Sequence, residues 1–206
     1  MKKLLVSSIL ILISALVSLA QDAPKYEISA GFSNLHESPP FFQKQNYSGW
    51  YATVARNFTD WFGVEAEVSG YYARFKEPVF VVPLTPPSTT SVRIKSSDHL
   101  FLGGPRFSYR GINHLTLFAH GLVGARYNEN SEKLEPSAAS AFPIFTAKFV
   151  HTSLAVGTGG GVDIGITQSL AFRAIQADYI HSGTSFEQDR NDLRLSTGIV
   201  FRFGGK

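Results

Sequence analysis

The sequence predicts an all-β protein, an eight-stranded antiparallel up-and-down transmembrane β-barrel. Three observations lead there. An export leader is followed by no apolar run of the roughly 18–20 residues that a membrane helix needs. Segments of ten or more residues alternate apolar and polar, the period of a strand with two unlike faces. The connections between those segments run long, short, long, short, the order in which outer-membrane barrels set extracellular loops and periplasmic turns.

The chain has 206 residues. It opens Met1-Lys2-Lys3, runs apolar from Leu4 to Leu19 and reaches Ser18-Leu19-Ala20 before Gln21. A basic start, an apolar stretch and a small-x-small exit make residues 1–20 a secretory signal peptide, with cleavage expected near Ala20. The domain division that follows is 1–20 leader and 21–206 barrel. There is no cysteine, which removes a lipoprotein anchor, disulfides, thiol catalysis and thiolate metal sites. Without Lys2 and Lys3, seventeen basic residues face sixteen acidic ones; so even a balance is no footprint for nucleic acid. A mature chain in a membrane then has to be a closed barrel, because only closure satisfies every backbone group in lipid.

The segments, in order, are Lys25–Asn34, Ser48–Phe58, Phe62–Phe75, Asp98–Arg110, Leu115–Tyr127, Phe149–Ile164, Leu170–Ile180 and Asp192–Phe203. In the first, Tyr26, Ile28, Ala30 and Phe32 oppose Glu27, Ser29 and Ser33. The second is apolar on alternate positions, but Arg56 falls on its greasy phase near a short turn. In the third, Val64, Ala66, Val68, Gly70 and Tyr72 oppose Glu65, Glu67, Ser69 and Tyr71. Pro105 inside the fourth demands a bulge or a locally missing ladder bond. The fifth carries His120 and Arg126 on its polar phase. In the sixth, Val150, Leu154, Val156, Val162 and Ile164 oppose His151, Ser153 and Asp163. The seventh puts Arg173 on the lipid phase, where it snorkels to the interface unless a bulge turns it inward. The eighth alternates without a break: Leu193, Leu195, Thr197, Ile199, Phe201 and Phe203 against Arg194, Ser196, Gly198, Val200 and Arg202.

Between the segments lie short turns at Thr59–Trp61, Gly111–His114 and Gly165–Ser169, and long loops over 35–47, 76–97, 128–148 and 181–191. Aromatic residues gather at segment ends, with Phe58, Trp61, Phe62, Phe201 and Phe203 at the short turns. Trp50, Tyr72, Tyr127 and Tyr179 stand beside the long loops. Amphipathic rings there form interfacial girdles. The Val79–Val82 patch reads as a hairpin extension, with Pro83, Pro86 and Pro87 limiting the entropy of the loop beyond it.

Several stretches resemble a known group. GWYATVARNFTDWFGVEAEVSGYY (Gly49–Tyr72), LGGPRFSYR (Leu102–Arg110), LFAHGLVGARY (Leu117–Tyr127), LAFRAIQADYI (Leu170–Ile180) and LRLSTGIVFRFG (Leu193–Gly204) are similar to hairpins of small bacterial outer-membrane barrels, the OmpA-like transmembrane-domain superfamily. The resemblance implies an integral barrel of the bacterial outer membrane, surrounded by its lipids and lipopolysaccharide and folded by the barrel-assembly machinery. Two departures stand out. Such barrels commonly end on an aromatic residue read by that machinery, whereas Gly204-Gly205-Lys206 follows Phe203, leaving Phe203 as the expected signal. The resemblance covers the barrel alone and does not imply a peptidoglycan-binding domain.

An eight-stranded barrel is just wide enough inside for its own side chains. The expected inward set is Glu65, Glu67, Arg106, His120, Arg126, Asp178, Arg194 and Arg202, which forms a plug of ion pairs. Arg194 and Arg202 are candidates to neutralise interior carboxylates such as Glu27. A narrow conducting pore is the sharper alternative. An enzyme rests on His151 and Ser153, two apart on one strand face as a base and nucleophile require; the pair resembles that of lipid A deacylase barrels, but no acid is evident to orient His151. His36, His99, His114 and His181 form no metal spacing, and Gly159–Gly161 lacks the Lys-Ser/Thr of a phosphate loop. No catalytic, cofactor or metal site is assigned. The expected function is structural or surface-interacting, through the four long loops and without catalysis, in a monomer. A soluble ligand-binding barrel is the remaining alternative.

Overall fold

A computed structural model describes residues 23–37, 45–81, 88–135, 146–183 and 190–204. The leader and its exit, the loop prolines and Gly205-Lys206 lie outside the described residues.

Among the described residues, eight strands follow one another: β1 (Tyr26–Glu37), β2 (Gln45–Asn57), β3 (Phe62–Val81), β4 (Ser88–Ile112), β5 (Leu115–Glu135), β6 (Thr146–Gly165), β7 (Leu170–Gly183) and β8 (Arg190–Phe203). Each pairs antiparallel with its neighbours in sequence, and β8 returns to β1 to close the ring. The seam register, Tyr26↔Phe203 through Phe32↔Thr197, joins the first and last segments as their alternation requires. Closure leaves no open edge within the ring, the condition for crossing lipid with strands.

The period of two sorts the side chains. Tyr26, Ile28, Phe32, Val64, Phe101, Leu154, Leu193 and Phe201 point out and are exposed, while Glu27, Ser29, Glu65, Glu67, Arg106 and Arg194 point in and are buried. Apolar residues outside and charges inside are the reverse of a water-soluble barrel and match a lipid-facing wall. Both girdles form. Phe58, Trp61, Phe62 and Phe107 stack around the first short turn with ring centroids 5.6–6.1 Å apart. At the opposite end, His99 sits 5.8 Å from Tyr72 and 6.5 Å from Tyr127.

The structure corrects two expectations. Arg173 is not on the lipid face: it is fully buried in the lumen. The register of β7 slips against both β6 and β8 around Ala174, and that one extra residue reverses the phase that alternation carries back from Asp178. Arg56 does stay outside, with its guanidinium 5.2 Å over the Phe58 ring at the girdle. Pro105 needs no slip, because the β4–β5 register passes from Gly103↔Val123 to Arg106↔His120 with no pair between. The long loops are also shorter than expected. β3 and β4 stay paired from Lys76↔Arg93 to Val81↔Ser88, and β5 and β6 from Asn128↔His151 to Lys133↔Thr146. Ladder bonds continue beyond the girdle, with β4 and β5 also paired from Asp98↔Asn128 to Ser91↔Glu135, because a paired extension satisfies its backbone better than a loop does.

Candidate functional site

Functional chemistry in such a barrel has two places to reside: the lumen and its mouths. The lumen holds three layers, and the strands show the order directly. Along β4 the inward residues run Asp98, Leu100, Leu102, Gly104 and Arg106; along β7 they run Ser182, Ile180, Asp178 and Gln176.

The periplasmic half is an ion network. Glu27 accepts from Arg106 at 3.2 Å, Arg110 at 2.5 Å and Asn57 at 3.0 Å. Arg106 also reaches Glu65 at 2.8 Å and Asp163 at 3.5 Å. Arg173 donates to Asp163 at 2.8 Å, to Gln176 at 2.8 Å and to Ser29 at 3.2 Å. Both guanidinium carbons lie 4.3 Å from the Phe118 ring centroid, so one aromatic face supports two cations. His120 stands between Glu65 at 3.2 Å and Asp178 at 2.8 Å. Carboxylates only accept, so both ring nitrogens donate, as the imidazolium does. Arg194 grips Glu67 with both terminal nitrogens and Asp178 at 2.8 Å. Gly159 makes room here, since a β-carbon on it would lie 2.1 Å from the Asp178 carboxylate.

Above this network comes an apolar layer of Leu35, Tyr47, Tyr71, Leu100, Leu102, Leu122, Ala155 and Ile180, all buried. Beyond it, Arg126 bonds Asp98, Asp192 at 2.5 Å and Ser182 at 2.9 Å. Among the described luminal side chains, Glu27, Glu65, Glu67, Asp98, Asp163, Asp178 and Asp192 are matched by Arg106, Arg110, Arg126, Arg173, Arg194, Arg202 and the imidazolium of His120. Charges of opposite sign are thus interleaved through the interior, as a low-dielectric enclosure demands.

The expected inward residues are therefore all on the luminal phase, with Arg202 only half-buried. Arg194 neutralises interior carboxylates as expected, but neither it nor Arg202 bonds Glu27. Arg202 donates to Thr116 at 3.1 Å and Arg194 to Glu67 and Asp178, while Glu27 is taken by Arg106 and Arg110 on β4. Sequence reading missed the apolar layer. Its signal was available in Leu100 and Leu102, which flank the outward Phe101 and must face the lumen.

His151 and Ser153 share the luminal phase and line a cavity of about 430 Å³ at the extracellular mouth with Arg126, Asn128, Ser182 and Arg190. Among the described residues no carboxylate lines it. His36 and His181 bond Asn46 at 2.6 Å and Asn191 at 2.8 Å on the outer rim. His114 occupies a turn with φ 62°. No group of three or more metal-ligating side chains occurs among the described residues. Gly159–Gly161 lie inside β6, in ladder rather than loop.

No family model and no curated protein matches the sequence. Solved structures do match the fold. The attachment invasion locus protein Ail of Yersinia pestis superposes with a TM-score of 0.55 at 19 % identity, covering 87 % of this chain and 99 % of that one. Its complex with the heparin analogue sucrose octasulfate gives 0.57 at 21 % identity, covering 88 % and 99 %. Neisserial surface protein A gives 0.51 at 11 % identity, covering 89 % and 100 %. Fold and lipid-facing wall together define the class: a small eight-stranded transmembrane barrel of the bacterial outer-membrane type.

Proposed function

We propose that the protein is a non-enzymatic integral outer-membrane barrel whose activity lies at its extracellular end, in holding or contacting surface partners. The filled lumen carries this reading. Three successive layers of side chains occupy it, so neither a solute path nor an internal ligand cavity accounts for the fold. The strands that run past the girdle, β3 to β6, offer the surface instead. The complex of Ail with a heparin analogue supports a surface-binding role. The leader, with cleavage near Ala20, takes the chain through the general secretory route to the assembly machinery. Outer-membrane fractionation with proteolysis of intact cells tests the reading; cuts confined to the four long connections agree with it, and a freely soluble product overturns it.

The shared cavity of His151 and Ser153 favours a second reading, a lipid-modifying enzyme. Both residues face the lumen rather than the lipid that such an enzyme would modify. Mass spectrometry of lipid A from cells carrying His151→Ala or Ser153→Ala decides between the two. Unchanged acylation is the expected result.

A further inference from the structure

The outer face of the strand extensions carries a charge pattern that the lumen does not explain. Arg74 on β3 is two residues, roughly 7 Å of strand, beyond the girdle residue Tyr72 and shares its outward phase. Directly opposite it stands Lys95 on β4. Lys95 in turn faces Ser131 on β5, and Ser131 faces Lys148 on β6. The next outward row places Arg93 opposite Lys133. Arg74, Lys95, Lys133 and Lys148 are exposed.

Like charges directly opposite on adjacent strands destabilise a sheet. In the lumen Arg106, Arg126, Arg173 and Arg194 each meet a carboxylate; on this face the described side chains include one, Glu129, held by Lys148 at 2.9 Å. Arg74, Lys95 and Lys133 have no carboxylate partner among the described residues. A cost accepted on three adjacent strands, immediately beyond the aromatic belt, requires a counter-charge at the level of the lipid headgroups.

We propose that Arg74, Lys95 and Lys133 form a binding surface for the phosphate groups of phosphorylated lipid in the outer leaflet. The surface is on the flank of the barrel, not in its mouth, so its ligand is a neighbouring membrane lipid rather than a soluble anion. Acyl chains lie along the greasy wall below, and headgroup phosphates meet the row of cations. This inference rests on the outer-membrane reading, with the greasy wall in lipid and β3–β6 projecting outward.

The test uses the folded barrel in neutral lipid nanodiscs doped with bisphosphorylated lipid A or with the same lipid dephosphorylated, and measures lipid enrichment around the protein. Heat-modifiable gel mobility checks folding of every variant. The parent protein should enrich the phosphorylated lipid. Arg74→Gln/Lys95→Gln/Lys133→Gln should weaken that preference about a hundredfold, at ~1 kcal/mol per surface charge. Lys25→Gln/Arg56→Gln, at the opposite end, should leave it unchanged. Equal enrichment of both lipids, an undiminished triple variant, or an equal loss in the periplasmic-end variant overturns the proposal. A heat-modifiable, inserted barrel with no phosphate preference sinks this inference alone; a chain that does not insert sinks the membrane reading with it.

Discussion

Arg194 shows what a single residue carries in a lumen of this kind. Its guanidinium is buried and binds Glu67 on β3 and Asp178 on β7, so removing it strands two carboxylates where water is excluded. Arg194→Leu should cost roughly 3–5 kcal/mol of stability, the usual consequence of breaking a buried pair from one side. Adding Glu67→Gln should recover part of that, because the second change removes a charge left without its partner. Reversible urea unfolding in lipid vesicles reads both values, and a double variant no better than the single would contradict the pairing. Gly159 makes a steric prediction. A β-carbon there meets the Ala177 carbonyl at 2.3 Å as well as the Asp178 carboxylate, and backbone cannot swing away. Gly159→Ala should destabilise by about 1–3 kcal/mol, the range for overpacking, in the same assay.

The elements were largely legible from alternation, and the exceptions have physical causes. Eight segments and their lipid faces follow from the period of two alone, since one face must be greasy and the other not. Where the chain departs from that period, sequence loses its phase: Arg173 looks lipid-facing only if Ala174 is counted as a paired residue. Strand ends were also hidden, because a polar strand beyond the membrane no longer alternates in hydrophobicity and reads as loop. The pairing partners inside the lumen were not legible either, because bonds across a barrel join strands that no local pattern links. The β7 bulge yields a prediction at this scale. Deleting Ala174 removes the extra residue yet preserves both phases, so the variant should still give a compact, heat-modifiable gel band. Deleting Ala177 instead turns Gln176 and Arg173 toward lipid and should abolish that band. If both deletions fail alike, the bulge is not the source of the phase change.

For the whole molecule, the layered interior predicts electrical behaviour. Charged networks on either side of a buried, mainly apolar layer leave hydrated ions no open path. Purified protein in planar bilayers should therefore show no stable, reproducible single-channel current. A steady unitary conductance would mean that the layers open and would restore the narrow-pore alternative. This scale was half legible. A charge-filled lumen follows from the inward set, but the apolar layer emerges only when the inward leucines of β4 and β5 are placed beside Ile180 and Tyr71.

The seam between β1 and β8 carries a further consequence. Across it, Glu27 lies opposite Arg202, but Glu27 is bonded to Arg106 and Arg110 on the far wall, and Arg194 of β8 is bonded to Glu67 on β3. Both strands at the joint are thus anchored by struts spanning the hollow as well as by the Ser33–Ser196 hydroxyl pair across the joint itself. These two ties join strands that are not neighbours, whereas Arg106–Glu65, Arg126–Asp98 and Arg173–Asp163 join strands that are. A sideways gap between first and last strands would therefore leave the ties from β1 to β4 and from β8 to β3 intact to draw the two edges together again.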